Sequence, residues 1–325
     1  MSTNSKSAKR TLRRDKFKFP FDLNEDQIGI KLGHYFGLLE AGLETHFDLE
    51  PSIEANTGAD HEYQGVVARY YIQAKAPIGL LSTDKVPIGK GKEDDGLNAI
   101  RKFRKDNGLC EEPYSLCFPL RRPAKNAIVP DELQHNLLFA MHDENNASYA
   151  MYVAPTTYKK DEYWQLLRDK AHWAFLYDGP FWRLSRQDLA IKAQVTAAMF
   201  MNMPFLQAHV CIVPHGKVET HEHHYSYSIH ANDIAFHSPF VLEGSSINLS
   251  DFLATQVSRI SRASASEVQP VSVVVEDLKR KLPESIWAQV DSASQDTQIR
   301  WIKRVGMVLR KEYGIHQYLL TKKRE

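Results

Sequence analysis

Apolar residues along the chain repeat with two different periods, and these predict a succession of helices and strands. After Asn24, apolar side chains recur at three- and four-residue intervals up to about His46, as the buried face of an amphipathic helix requires. Asn24 and Gln27 have the spacing of a capping box, which marks the start of this helix. Glu40 falls on or beside the apolar face, so the pattern predicts a carboxylate at the edge of the core.

A strand is predicted over residues 66–76, because this run is rich in Val, Tyr and Ile and lies between a glycine and a proline. Two turns precede it, so we expect a hairpin that brings Asp60 beside the strand. Side chains two residues apart on a strand share a face, which places Gln73 and Lys75 side by side. The predicted cluster therefore contains Asp60, Gln73, Lys75 and Glu40.

Helical and extended patterns continue to alternate along the rest of the chain, which favours a mixed sheet with helices on its faces. From Asn248 onward strand signals are sparse and helical patterns predominate. We expect an α/β domain over 19–245 and a C-terminal helical region over 246–325. The pattern leaves open whether that region is a separate small domain or a flank of the first.

The composition narrows the class of protein. A chain of 325 residues that is 43% hydrophobic can build a substantial core. It has no run of about 18 apolar residues and no apolar stretch of the signal-peptide kind, so neither a membrane span nor secretion is indicated, and we expect a cytoplasmic protein. Its three cysteines lack CxxC spacing, which argues against a disulfide framework and a zinc ribbon.

The net charge of +1 conceals an uneven distribution. Residues 1–18 contain many cations and the single acid Asp15, so we expect a flexible basic arm that either touches phosphates or is merely solvated. A second basic stretch, diluted by acids, follows the predicted strand. The residues of this stretch that we expect to contact nucleic acid are Lys90, Lys92, Arg101, Arg104, Arg121 and Arg122.

Two acids, an amide and an ammonium group are what phosphodiester hydrolysis needs. Oxygen ligands hold Mg²⁺ near the scissile phosphate, and a cation orients or deprotonates the attacking water and stabilises the charge on phosphorus. Asp60, Glu40 and Gln73, with the backbone carbonyl of Ala74, would form the metal shell, and Lys75 would be the catalytic group.

The stretch Gly58-Ala59-Asp60, followed across a turn by Tyr70-Tyr71-Ile72-Gln73-Ala74-Lys75, resembles the restriction-endonuclease-like PD-(D/E)XK superfamily. It is most similar to the branch with Gln in the third position, as in the Mrr-type nucleases. The resemblance implies a restriction-endonuclease-like core with a mixed central sheet flanked by helices. It implies metal binding by the helical Glu, the Asp and the Gln, catalysis by the Lys, and Mg²⁺ or Mn²⁺ as cofactor.

The same resemblance predicts a metal-dependent DNA endonuclease, with restriction or anti-phage defence as its expected setting. Cutting both strands of a duplex normally takes two active sites, so a homodimer is expected on double-stranded DNA, and a defence-system partner protein is an alternative. The sequence departs from the motif in two places: Ala59 replaces the usual proline, and Gln73 replaces an acid. A weakened nuclease-fold subunit that binds nucleic acid without cutting it is therefore an alternative function.

A third hypothesis rests on a histidine-rich stretch. Its members are His215, His221, His223, His224, His230 and His237. On a strand His221 and His223 would share a face, and two neutral imidazoles so placed can bind Zn²⁺ or another transition metal. This spacing resembles the HxH pattern of a cupin, which implies a small barrel that holds a metal.

Overall fold

A computed structural model gives the fold. It describes residues 17–41, 47–51, 63–88, 96–121, 130–168, 189–237, 240–242, 246–260, 268–291 and 298–323. Several residues for which the sequence predicts a functional role lie outside these ranges: Asp60, Lys90, Lys92, Arg122 and most of the basic arm.

The main sheet has six strands and a mixed pattern of pairing. In chain order they are β2 (Phe47–Pro51), β3 (Tyr63–Ala74), β6 (Ser148–Pro155), β7 (His209–Ile212), β11 (Ser246–Asn248) and β12 (His316–Lys323). Their spatial order is β11-β7-β6-β3-β12-β2. The β3 and β6 strands are parallel, and the other neighbours are antiparallel. The long strand β3 is therefore central, with β6 on one side and β12 on the other.

A second sheet is antiparallel throughout. Its strands are β1 (Lys18–Phe19), β4 (Ile78–Leu80), β5 (Ser115–Pro119), β8 (His224–Ser228), β9 (Ile234–Phe236) and β10 (Phe240–Leu242). They follow one another in the spatial order β1-β4-β5-β8-β9-β10. The stretch that follows β3 thus contributes two strands, β4 and β5, to this sheet.

The described residues form ten α-helices, most of which pack against the two faces of the main sheet. They are α1 (Glu25–Ala41), α2 (Gly96–Asp106), α3 (Gln134–Met141), α4 (Lys160–Arg168), α5 (Leu189–Met201), α6 (Pro204–Gln207), α7 (Leu249–Ile260), α8 (Val271–Lys281), α9 (Glu284–Asp291) and α10 (Gln298–Tyr313). None of the described helices is both long enough and apolar enough to cross a bilayer.

Two large apolar cores lie on opposite faces of the main sheet. The first core is formed by α1, α5, α6 and α7 against one face of the sheet. The second core fills the space between the other face, the helices α3 and α8–α10, and the inner side of the second sheet. A smaller cluster lies under α2, on the outer side of the second sheet. The mixed α/β class predicted from the alternating patterns is confirmed.

The first helix begins as its sequence predicts. The backbone N–H of Gln27 donates to Asn24 Oδ1 at 2.8 Å, and the backbone N–H of Asn24 donates to Gln27 Oε1 at 3.1 Å, which is the reciprocal pattern of a capping box. Ile28, Leu32 and Phe36 are buried against the sheet. The helix is described to Ala41.

The predicted division of the chain at residue 245 is wrong. Residues 246–325 do contain the predicted helices, α7 to α10. However, the chain ends in β12, which pairs with β2 on one side and with β3 on the other. Because a central strand of the main sheet comes from this region, it is neither a separate domain nor a flank. It completes the sheet that carries the candidate site.

Candidate functional site

Two of the predicted site residues, Gln73 and Lys75, lie at the end of the central strand β3. Ile72 belongs to the first core and Tyr71 to the second, so successive side chains alternate between the two faces. Lys75 continues the pairing beyond the strand, because its backbone N–H donates to Val153 O at 2.9 Å. Its Nζ lies 5.7 Å from the ring centroid of Tyr152, a second-core residue. The side chains of Gln73 and Lys75 meet on this face.

A carboxylate from α1 joins this pair. Glu25, in the first turn of that helix, forms an ion pair with Lys75, with 3.3 Å between Oε1 and Nζ. Gln73 Nε2 donates to the other carboxylate oxygen, Oε2, at 3.2 Å. The Lys75 side chain is 2% exposed, whereas that of Glu25 is 39% exposed. The carboxylate therefore links the buried lysine to solvent.

The amide of Gln73 is held in one orientation. Its Nε2 donates to Ala74 O at 2.8 Å, and its Oε1 accepts from Gln134 Nε2 at 2.6 Å. Gln134 lies at the start of α3 and also donates to the backbone carbonyl of Tyr313, at the end of α10. This chain of hydrogen bonds fixes which side of the amide is the acceptor, and it ties three elements to the end of β3.

The electrostatic setting of Lys75 shifts its protonation equilibrium toward the neutral amine. Burial lowers the pKa of Lys75, because it removes the charged form from water, while the Glu25 carboxylate opposes that shift. The Arg121 guanidinium nearby lowers the pKa further. A lysine whose pKa is lowered is a better proton acceptor near neutral pH, so the site contains a candidate general base.

Glu40 is not the acid of this cluster. It lies 15 residues after Glu25 on the same helix, and a rise of 1.5 Å per residue separates their backbones by about 22 Å. Since the carboxylate of Glu25 contacts both Gln73 and Lys75, the prediction that assigned this role to Glu40 is wrong. The apolar period points to Glu40 on the buried stripe, whereas Glu25 directly follows the capping residue Asn24. An acid in the first turn of a capped helix was the signal that could have found it.

The predicted hairpin is also replaced by a different pairing. The antiparallel neighbour of β3 is β12, with His316 opposite Ile72, and the parallel neighbour is β6. Both edges of β3 beside Gln73 are therefore occupied by strands from distant parts of the chain. Asp60 lies outside the described residues, so its role as a metal ligand stays a prediction.

The basic stretch contains structural arginines as well as cations near the site. Arg101 is buried and donates to the backbone carbonyls of Leu81, Ser82 and Val86. Arg104 is also buried, and its guanidinium pairs with Asp233 at 2.8 Å. Neither side chain can reach a phosphate backbone, so both predicted contacts are wrong.

The helical spacing of the two arginines gives the reason. Leu97, Ile100, Arg101 and Arg104 recur at i, i+3, i+4 and i+7 on α2, which is the pattern of a buried face. Arg121 is only partly buried and lies near Lys75, and its contact with nucleic acid stays a prediction.

The histidines do not form the predicted metal site. His221 and His223 precede β8 instead of sharing a face within it. The ring of His215 lies 4.5 Å from that of Phe236, and His237 Nε2 is 2.8 Å from Ser226 Oγ. Among the described residues, which include all six histidines, no group of three or more His, Cys, Asp or Glu is placed to hold a metal ion. The predicted placement of His221 and His223 on one face of a strand is therefore wrong, and the cupin-like function that depends on it has no support from these residues.

Buried histidines elsewhere make the fold sensitive to acid. Burial lowers the pKa of both His135 and His209 to about 4, from an ordinary value of 6.5. Below pH 6.5 these histidines bind protons in the unfolded chain, whereas in the folded chain they stay neutral until about pH 4. The free energy of unfolding therefore decreases as the pH falls from 6.5 to 4. His209 is fully buried, and its contribution to this loss of unfolding free energy is on the order of 3 kcal/mol.

We expect His209→Gln to flatten the pH dependence of unfolding. Urea titrations at pH 7 and pH 4.5 should show a smaller loss of unfolding free energy in the variant than in the wild type, whatever its absolute stability. Equal losses in the two proteins would show that His209 does not stay neutral in the fold.

The donor atoms of the cluster are hard oxygens, which suit Mg²⁺ better than Zn²⁺. The described residues offer the Glu25 carboxylate, the Gln73 amide oxygen and the Ala74 carbonyl. The last two already accept hydrogen bonds, but a carbonyl oxygen has two lone pairs. One carboxylate with carbonyl oxygens fits a cation that keeps several waters and also binds substrate phosphate.

Comparison with protein-family models, with curated proteins and with solved structures gives no match for this chain. The functional argument therefore depends on the geometry of the chain itself.

Proposed function

We propose that this protein is a metal-dependent DNA endonuclease whose active site lies at the end of β3. The observation that carries the proposal is the contact of Glu25 with both Gln73 and Lys75, because it joins an acid, an amide and a lysine of lowered pKa. This set matches the chemistry of phosphodiester hydrolysis. It also agrees with the resemblance to the PD-(D/E)XK nucleases, with Glu25 in the place of the helical acid.

Each residue has a distinct part in the proposed reaction. The neutral amine of Lys75 accepts a proton from the water that attacks phosphorus. Glu25 holds Lys75 in position by accepting a hydrogen bond from its amine, at 3.3 Å between Oε1 and Nζ, and has an exposed edge toward solvent. Gln134 holds the Gln73 amide so that its oxygen keeps a fixed direction. Mg²⁺ or Mn²⁺ would be held by Glu25, Gln73 and Ala74, with Asp60 as a further ligand, and would supply positive charge beside the scissile phosphate.

Double-stranded DNA is the proposed substrate, and a homodimer or a defence-system partner would supply the second active site that cutting both strands requires. A role in restriction or anti-phage defence follows from the family resemblance alone.

One observation favours a second candidate function. Within the described residues the cluster contains a single carboxylate, and the oxygen of Gln73 already accepts a hydrogen bond from Gln134. A nuclease-fold subunit that binds DNA without cutting it would have too few carboxylates to bind the metal tightly, as in this cluster.

A metal titration of plasmid cleavage distinguishes these functions. We expect the wild type to nick supercoiled plasmid in Mg²⁺ or Mn²⁺ and not in EDTA. Glu25→Gln removes the carboxylate charge but keeps the shape of the side chain, so cleavage should fall at least about 10²-fold and require more metal. Asp26→Asn, one residue along the same helix, is the matched control and should cut as the wild type does. Cleavage by Glu25→Gln at the wild-type rate would refute the assigned site, and binding without cleavage by the wild type would favour the second function.

A further inference from the structure

One face of α10 is strongly basic. This helix spans Gln298–Tyr313, and its single acid is Glu312. Its cations are Arg300, Lys303, Arg304, Arg310 and Lys311. At about 100° per residue they fall within an arc of about 120° around the helix axis.

The opposite face of α10 anchors the helix to the protein. Ile302, Val305 and Leu309 are fully buried in the second core, and Trp301 is nearly so. Four of the five cations are half-buried, and Lys311, which forms an ion pair with the neighbouring Glu312 at 3.3 Å, has a side chain that is 83% exposed. The basic face is therefore fixed in direction by a rigid, well-packed helix.

The C-terminal end of α10 lies beside the candidate site. The last residue of α10, Tyr313, accepts a hydrogen bond from Gln134, which in turn holds Gln73. Gly314 follows with a positive φ of 67°, and its N–H donates to Arg310 O at 2.9 Å, which ends the helix. The next element is β12, which lies beside β3. Helix α10 thus runs from the outer surface to the end of β3.

We propose that the basic face of α10 binds the phosphate backbone of double-stranded DNA and guides it to the cluster at Gln73 and Lys75. This inference rests on the proposed nuclease function and gives it a DNA-binding surface. The five cations lie between Arg300 and Lys311, a length of about 16 Å along the helix axis, which matches roughly five base pairs of duplex. An arc of cations along that length is complementary to a row of phosphates, and no base contact is required.

The location of this surface differs from the one that the sequence predicts. The predicted contacts Arg101 and Arg104 are buried in α2, which packs on the outer side of the second sheet. The α10 cations do not form a continuous basic run, because apolar residues alternate with them in the sequence. Only the helical period places them on one face.

The test is a salt titration of DNA binding in EDTA, where no cleavage can occur. The variant carries Arg300→Gln, Lys303→Gln and Arg304→Gln, which lie on the part of α10 away from the site. With a labelled 24-base-pair duplex, we expect affinity at 0.1 M salt to fall roughly 10²-fold. The slope of log Kd against log salt should fall by about 3, at roughly 0.9 for each lost phosphate contact.

The matched control removes the same three charges elsewhere. Lys85→Gln, Lys102→Gln and Lys105→Gln change three exposed lysines, two of which lie on α2 at the outer side of the second sheet. This control should bind DNA with nearly the wild-type affinity and salt slope. An α10 variant that binds like the wild type, equal losses in both triple variants, or a wild type that does not bind the duplex would each overturn the proposal.

Folding is checked by the thermal unfolding midpoint of each variant. If the triple variant is unfolded, Lys311→Glu gives a second test, because this exposed side chain can be changed without disturbing the core. It should weaken binding in the same direction, and unchanged binding would count against the surface. Since all these measurements are made without metal, loss of the DNA-binding surface is distinguishable from loss of the catalytic site.

Discussion

Replacing Lys75 by alanine is expected to lower the rate of DNA cleavage by about 10²- to 10⁴-fold, the range that a positioned general base contributes. Lys75 is buried and forms an ion pair with Glu25, and burial lowers its pKa toward the range where the neutral amine is populated. The loss should appear in the rate at saturating DNA and not in DNA affinity, because Lys75 acts on the attacking water. Single-turnover cleavage in Mg²⁺ measures this rate.

Two companion variants sharpen this test. Lys75→Arg keeps a positive charge but cannot give up its proton, so it should be as inactive as the alanine variant if Lys75 is the base. Full activity of Lys75→Arg would show that only the charge matters. Lys85→Ala removes a partly exposed lysine that pairs with Glu112 and should cut at the wild-type rate.

The largest effect on stability is expected at Asp277. This residue of α8 forms an ion pair with Arg69 of β3 at 2.8 Å, and the Arg69 side chain is only 1% exposed. Asp277→Ala would leave a buried guanidinium without its carboxylate, which costs about 3–5 kcal/mol of unfolding free energy. Arg69 lies on the same strand as Gln73, so cleavage activity should fall together with stability. Urea unfolding at pH 7 measures the change.

Two controls identify the cause. Arg69→Met combined with Asp277→Leu removes both charges and should recover most of the lost stability, since apolar groups can replace a buried pair. Arg280 also pairs with Asp277, and the Arg280 side chain is 72% exposed. Arg280→Ala should therefore lower the free energy of unfolding by less than about 1 kcal/mol. A double variant as unstable as Asp277→Ala would contradict the explanation by an unpaired charge.

The local elements were predictable because their signals are local. The capping residues Asn24 and Gln27 mark the start of α1, and the apolar face that follows is buried as its period requires. The alternation of Tyr71, Ile72 and Gln73 follows directly from strand geometry. A period of 3.6 or 2 fixes which face of an element is buried, whatever the rest of the chain does.

The long-range pairing was not predictable from the same signals. The partner of β3 is β12, which lies more than 240 residues away and follows a strongly helical segment. Nothing in the local pattern of either strand specifies the other, and the turns before β3 favour a hairpin with the preceding segment. Sparse strand signals after Asn248 predict a C-terminal region that is either a separate domain or a flank, although this region completes the main sheet.

The site was partly predictable for the same reason. Gln73 and Lys75 were identified because they share one strand, but the acid comes from another element, where Glu25 and Glu40 differ only in position along one helix. The charge of Arg101 and Arg104 suggested contacts with DNA, while their helical spacing placed them inside the protein. Charge is a poor guide to exposure when periodicity indicates a buried face.

The central claim is that the cluster at Glu25, Gln73 and Lys75 hydrolyses phosphodiester bonds in DNA. The most direct measurement is the nicking of supercoiled plasmid by the wild type in Mg²⁺ and in EDTA, with Lys75→Ala assayed beside it. We predict open-circular and linear DNA with the wild type in Mg²⁺ only, and intact plasmid with Lys75→Ala. Cleavage that persists in EDTA, or that Lys75→Ala performs as fast as the wild type, would contradict the account.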